Sequence, residues 1–294
     1  MKILSINTSE PQKVIFNGKE LITSIYKKPV SKKVQVTPQG IEGDRQADLS
    51  VHGGFDKAVY GYSYTHYKLW GERLEKDFKE FGLVGENLTI DEFDENTINI
   101  GDRYQINDCI LQVSQPRIPC YKIGIKMNSR DFPKMFSQSG LLGSYFRVIQ
   151  QGSIETGDQI EKVHSEENSM SLKEIASILF VDIKNIDLMK KALDIKPLTE
   201  EIKEKFRERL MKRGDFSSLA DMMKRQNLKV VENTVNKVSC AGDEKSGKHP
   251  LVYLTIKDGS AECYYCGKMF VTKDTHEKYL NKVRKKFKKA AKNV

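Results

Sequence analysis

The hydrophobic residues of this chain change their period near Ser165, and that change constrains the fold more than any other feature. Before it, short runs of β-branched and aromatic residues alternate with glycine and asparagine turns. Val14-Ile15-Phe16 and Leu21-Ile22 flank Asn17-Gly18, a dipeptide suited to the positive φ angles of a tight hairpin. Val34–Thr37, Tyr104–Val113 and Tyr145–Gln150 read as further strands, with turns at Gly101-Asp102 and Gly157-Asp158. One helix interrupts them, because Trp70, Leu74, Phe78 and Phe81 recur three to four residues apart. Such a pattern predicts a closed or nearly closed β-barrel with helical insertions.

Beyond Ser165 the repeat becomes helical. Ser171-Leu172-Lys173-Glu174 is a capping box that opens a helix through Phe180. Ile186, Met189 and Leu193 share a second face, and Leu198, Ile202, Phe206 and Leu210 form a third stripe, which together predict a compact three-helix appendage. Polar residues from Arg213 to Gln226 then lead to a unit in which Val252, Leu254 and Ile256 alternate as in a strand. The expected organisation is a barrel over 1–163, helices and linker over 164–226, a small β-rich unit over 227–274 and a tail over 275–294. The fold class is mixed β/α.

A length of 294 residues suits this division, since single domains run to roughly 100–200. The N-terminal Met1-Lys2-Ile3-Leu4-Ser5-Ile6-Asn7 turns polar before a signal-peptide core can form, and no later stretch approaches the ~20 apolar residues of a membrane span. Five cysteines are an odd count, and three crowd one C-terminal segment, which argues against a disulfide framework. Reduced thiols and a cytoplasmic location are expected.

Those three cysteines and a histidine form the sharpest pattern in the chain. Cys240, His249, Cys263 and Cys266 are spaced C-x8-H-x13-C-x2-C. The C-x-x-C pair places two thiolates at neighbouring corners of a tetrahedron, and Gly267 lets the backbone turn beneath a metal. Zn²⁺ is the favoured occupant; a redox dithiol is the alternative, but no thioredoxin-like βαβ pattern surrounds it. Four ligands with no open position make a structural site, whose metal replaces a core too small to fold alone. With Gly247-Lys248-His249-Pro250 between the cysteines, residues 229–272 resemble the CHCC zinc-finger family, which implies a structural or docking role.

A second constellation surrounds Cys120. Gln115-Pro116-Arg117-Ile118-Pro119-Cys120-Tyr121-Lys122 follows a predicted strand, and its prolines stiffen the approach to a turn. Arg117 and Lys122 favour the thiolate, which is both nucleophile and soft-metal ligand; a buried apolar cysteine with a lone basic neighbour is the competing reading. Gly43-Asp44-Arg45-Gln46-Ala47-Asp48 and His52-Gly53-Gly54-Phe55-Asp56-Lys57-Ala58 supply close backbone approach at the glycines, and Arg45, His52 and Lys57 as donors to an anionic, phosphorylated ligand. Singly, His52 reads as a packed or surface histidine and Gly53-Gly54 as a turn. In Gly85-Glu86-Asn87-Leu88-Thr89, Asn87 either binds a ligand or caps the turn. Cys109 falls in the Tyr104–Val113 run and reads as an inert, half-buried thiol.

In order, G-D-x-Q-A-D, H-G-G-x-x-x-A-V, G-E-N-L-T and Q-P-R-x-P-C-Y-K resemble the MOSC family, closest to its YiiM-like bacterial branch. The resemblance spans residues 1–163, and the next three helices look like the helical domain of that branch. It implies a β-barrel that binds molybdenum cofactor, independent of pyridoxal phosphate, with Cys120 as the catalytic protein ligand to molybdenum. Arg45, His52, Gly53, Gly54, Lys57, Asn87 and Arg117 become candidate cofactor contacts. The activity implied is reduction of N-hydroxylated small molecules such as hydroxylaminopurines. Electrons would come from a separate reductase, since no flavin or iron–sulfur motif is visible.

The formal net charge of +9 is concentrated at the end. Lys282, Arg284, Lys285, Lys286, Lys288, Lys289 and Lys292 surround Leu280, Val283, Phe287 and Ala290 at helical spacing. Such a tail suits an acidic protein partner or an anionic membrane surface, with nucleic acid less favoured, and a solvated end is the plainer reading. The competing function is a non-catalytic carrier or assembly protein for molybdenum cofactor or sulfur, docking through its zinc module.

Overall fold

The computed structural model describes residues 1–47, 53–211, 228–243, 247–263, 265–266, 268–278 and 281. The chain forms two compact units, Met1–Lys203 and Glu204–Val294. The first is built on β1 (Ile3–Thr8), the β2 (Gln12–Phe16) and β3 (Lys19–Thr23) hairpin, β4 (Lys28–Val30), β5 (Val34–Thr37), β6 (Gly40–Ile41), β7 (Val59–Ser63), β8 (Leu88–Ile90), β9 (Arg103–Ile106), β10 (Cys109–Pro116), β11 (Ser144–Gln150), β12 (Gly152–Ile154) and β13 (Glu161–His164). Eight of these form one sheet in the order β13-β9-β10-β11-β7-β8-β1-β4.

The β13 edge of that sheet meets β1, the strand next to its other end. Lys2 bridges Gln159, Ile3 N–H donates to Asp158 O at 3.0 Å, and Ile160 N–H donates to Met1 O at 2.7 Å. The residues just before β13 therefore pair with the start of β1, and the sheet curls into the nearly closed ring that the sequence allows. Leu88, Ile90, Tyr104, Leu111, Phe146 and Ile160 converge on its apolar interior. Central β7 is buried along its whole length.

Two local expectations are corrected. The run Tyr104–Val113 is two strands: Ile106 pairs with Cys109 around Asn107-Asp108, and Asn107 takes φ 50°. Asparagine tolerates that left-handed conformation, so a two-residue turn fits inside what reads as continuous strand. The helix predicted through Phe81 ends early. It is α1 (Thr65–Leu74), stopped by Glu75 at φ 53°, ψ 44°, yet Phe78 and Phe81 still pack against its apolar cluster. That cluster centres on Trp70, whose indole N–H donates to Tyr62 Oη at 2.6 Å, and on the stacked Phe132 and Phe136. The phenylalanines lie on α3 (Phe132–Ser139), which follows the short α2 (Tyr121–Lys126).

The helices after the barrel begin as the sequence predicts. In α4 (Leu172–Phe180) the Ser171 and Glu174 side chains cap each other's backbone, and in α5 (Ile186–Asp194) Asn185 accepts from Leu188 N–H. Met189, Leu193, Leu198, Ile202, Phe206 and Leu210 are all buried, the last three on α6 (Glu200–Met211). No helix among the described residues is long and apolar enough to cross a membrane.

In the second unit, β14 (Leu228–Val231) runs parallel to β18 (Met269–Thr272), which also pairs with β17 (Ser260–Glu262). A separate hairpin joins β15 (Lys237–Asp243) to β16 (Gly247–Thr255). Val252 and Leu254 point inward as their alternation predicts, while Ile256 lies one residue past the strand. Their core is small: Cys240, Val252, Leu254, Cys263 and Phe270. The predicted linker from Arg213 to Gln226 and the basic tail over 282–294 lie outside the described residues.

Candidate functional site

Cys120 is held by the stiff run that leaves β10. Pro119 precedes it, all peptide bonds are trans, and Cys120 is extended (φ −113°, ψ 168°) immediately before α2. Its thiol is half-buried and free of any disulfide. Arg117, 6% exposed, donates from Nη1 to Val84 O at 2.5 Å and lies 4.7 Å over the Tyr60 ring. Burial opposes its charge, but Tyr60, Tyr145 and Cys120 face it and hold its pKa above the usual arginine value. Tyr60 donates to Leu142 O at 2.8 Å, and its ring lies 5.1 Å from that of Tyr145, tilted by 40°.

Two more cations converge here. Lys126 Nζ donates to Ile25 O at 2.9 Å and also to Gly82 O, beside the Tyr26 ring. Burial lowers its pKa to about 8, with Arg117 and Lys27 pushing the same way. Lys27 is ion-paired with Asp44, with side chains 8% and 2% exposed. Burial lowers Lys27 as well, against the pull of Asp44. Lys27, Arg117 and Lys126 thus form a sheltered cluster with the buried acids Asp44 and Glu86, carrying one more cation than anion, and Arg117 is the member that faces the thiol. Sequence reasoning missed both lysines, because residues about a hundred positions apart meet only through the barrel.

The remaining predicted residues divide. Asn87 is buried: its Oδ1 accepts Tyr60 N–H at 3.1 Å, and its Nδ2 donates to Asn7 O at 3.3 Å and Asp44 Oδ2 at 2.9 Å. Its amide thus braces β1, β7 and the Asp44 turn, a role nearer the capping alternative. Glu86 beside it accepts from Gly82 N–H, Val84 N–H, Thr89 Oγ1 and Tyr67 Oη. Arg45 is 75% exposed, its Nε 3.8 Å from Glu10. Gly54 (φ 86°) follows Gly53 (φ 154°) and opens a short turn ending in Lys57, whose Nζ is 2.5 Å from Glu201. His52 lies outside the described residues. Cys109 is fully buried rather than half-buried, and burial pushes its thiol up to about 12.

In the second unit the ligand atoms of Cys240, His249, Cys263 and Cys266 all lie within 4.8 Å of one another. His249 Nε2 is 3.4 Å from both Cys263 Sγ and Cys266 Sγ, and 3.6 Å from Cys240 Sγ. Its Nδ1 sits 2.8 Å from Pro250 O, which fixes the tautomer that turns Nε2 to the thiols. Tyr265 stacks on the imidazole, 4.7 Å away and 8° from parallel. Three sulfurs and one nitrogen in this arrangement are a closed tetrahedral zinc set.

A curled, nearly closed sheet presenting a cysteine beside a buried arginine, followed by three helices, fits the class of MOSC-domain proteins. The MOSC domain matches residues 48–161, the YiiM-like 3-alpha helix domain 170–213 and the CHCC zinc-finger domain 235–270. YflK of Bacillus subtilis (strain 168) is 35% identical over 213 residues, 72% of this chain and 94% of that protein. The crystal structure of YiiM from Geobacillus stearothermophilus superposes with a TM-score of 0.61 at 33% identity, over 71% of this chain and 98% of that one. A Gibberella moniliformis protein named a reductase is 28% identical over 69% of this chain and 36% of its own length. The chain belongs to the MOSC family, in its YiiM-like branch, and carries a CHCC zinc finger after it.

Proposed function

We propose that the barrel is a molybdenum-cofactor-dependent reductase of N-hydroxylated compounds, hydroxylaminopurines among them, supplied with electrons by a separate reductase. The observation that carries this reading is the half-buried Cys120 thiol facing the buried Arg117, which itself neighbours Lys27 and Lys126. A soft thiolate next to buried positive charge fits a group that pairs a thiophilic metal with a phosphate. The name of the Gibberella relative points the same way.

Cys120 would hold the molybdenum, and Arg117, Lys27 and Lys126 would neutralise the phosphorylated pterin. The glycine-rich motif would add His52, Gly53, Gly54 and Lys57 as contacts, together with Arg45, while Asn87 braces Tyr60, Asn7 and Asp44. When bound, the cofactor supplies the two-electron chemistry. The chain's own contribution is to orient it, exclude water behind Tyr60 and Tyr145, and set its charge environment. Zinc in the Cys240, His249, Cys263 and Cys266 site is structural.

Substituting Cys120 with Ala is expected to abolish bound molybdenum and 6-hydroxylaminopurine reduction together. The measurements are metal analysis of purified protein and turnover with an artificial donor. An active, molybdenum-replete Ala variant overturns the assignment. The carrier reading keeps one specific support, the outward Leu251 and Tyr253 of β16, 57% and 76% exposed on the zinc unit. Molybdenum bound without turnover in the parent protein selects that reading.

A further inference from the structure

The stretch that joins α5 to α6 touches the barrel at three points. Thr199, 2% exposed, donates from Oγ1 to Gln115 Oε1 at 2.7 Å. Pro197 O accepts from Arg147 Nη2 at 2.7 Å, while Arg147 Nη1 donates to Gln112 Oε1 at 3.1 Å and its Nε pairs with Asp56. Glu201 pairs with Lys57. Asp56 is tied back to β10, since Ser114 Oγ donates to its carbonyl at 2.6 Å. Pro197, Thr199 and Glu201 therefore grip both the run leading to Cys120 and the turn carrying Lys57.

Gln115 is the first residue of the motif that ends in Cys120, and it is completely buried. An amide has one acceptor and two donors on a rigid plane, so fixing Oε1 also fixes Nε2. Here Nε2 is directed at Pro116 O, 3.4 Å away, in the peptide run that continues through Arg117. We propose that Thr199 is a positioning residue for Cys120: its hydroxyl, acting through Gln115, sets the course of the Pro116–Cys120 run and so the presentation of the thiol. The helical segment is then a working part of the site. This deepens the reading above and rests on it only for what the thiol binds.

The test reads the thiol directly. The full zinc-loaded chain is treated with iodoacetamide across about pH 6 to 10, and alkylation of Cys120 is followed by peptide mass spectrometry. Thr199→Val keeps the shape but leaves Gln115 Oε1 buried without its donor, and is expected to shift the Cys120 rate profile about five-fold. Thr199→Ser, which returns the hydroxyl, is expected to restore the parent profile. If Thr199→Val does not fold, Thr199→Val with Gln115→Met, which removes both partners, carries the same comparison. A Val or double variant that superposes on the parent overturns the proposal, as does a Ser variant that behaves like Val. Parent and variants are compared after metal analysis shows them free of molybdenum, so failure of the molybdenum reading leaves these profiles unchanged.

Discussion

Lys126 is the residue whose charge the barrel opposes most legibly. Its pKa falls from 10.5 to about 8, chiefly through burial, so between those values the folded chain binds fewer protons than the unfolded one. Stability from this group therefore rises with pH across that window, and its cost is fully present below it. In Lys126→Met the gain in urea midpoint between about pH 7.5 and 9.5 is expected to be smaller than in the parent; an equal gain refutes the assignment. Cys109 and Cys120 should separate cleanly under native alkylation. Burial suppresses the Cys109 thiolate, so only Cys120 of this pair is expected to react, and modification of both at similar rates contradicts the burial described. Glu86→Ala strands the donors at Gly82, Val84, Tyr67 and Thr89, at an expected cost of roughly 3 kcal/mol or more by denaturant titration. At this scale the site was half legible. Arg117 and Cys120 are three residues apart and announce each other, whereas Lys27 and Lys126 gain meaning only when the fold desolvates them together.

Among the elements, what the sequence made readable was local chemistry. Asn17-Gly18 takes φ 50° and 74° as a tight hairpin requires, and Ser171 and Glu174 complete their capping box. Both signals lie within four residues and need no tertiary partner. What misled was hydrophobicity serving the core without secondary structure. Phe78 and Phe81 keep the helical spacing after α1 has stopped, because the same apolar cluster is reached from a loop. The stop itself is strained, since Glu75 is a left-handed non-glycine residue. Glu75→Gly is expected to stabilise the protein by about 0.5–1 kcal/mol, visible as a higher thermal midpoint. In the same way Asn107-Asp108, both turn-forming residues, hid a turn because apolar residues resume at Cys109 directly after it.

For the molecule as a whole, the two units answer to different forces. The barrel unit has a broad apolar interior, whereas the zinc unit buries little beyond Val252, Leu254, Phe270 and two of its own ligands. Metal binding of a structural site contributes roughly 10–16 kcal/mol in apparent folding energy, far more than so few side chains supply. Chelation is therefore expected to erase amide protection over 228–278 while leaving that of the barrel strands; protection that survives zinc removal counts against a metal-dependent fold. The ring closure at Lys2 and Gln159 sets a timetable for the barrel on the ribosome. The start of β1 and its Gln159 partner lie more than 150 residues apart, so the pair forms only after that length of chain has been added. Through that interval the Lys2–Ile3 edge waits with unpaired amides, a transient template for mispairing that the finished ring removes.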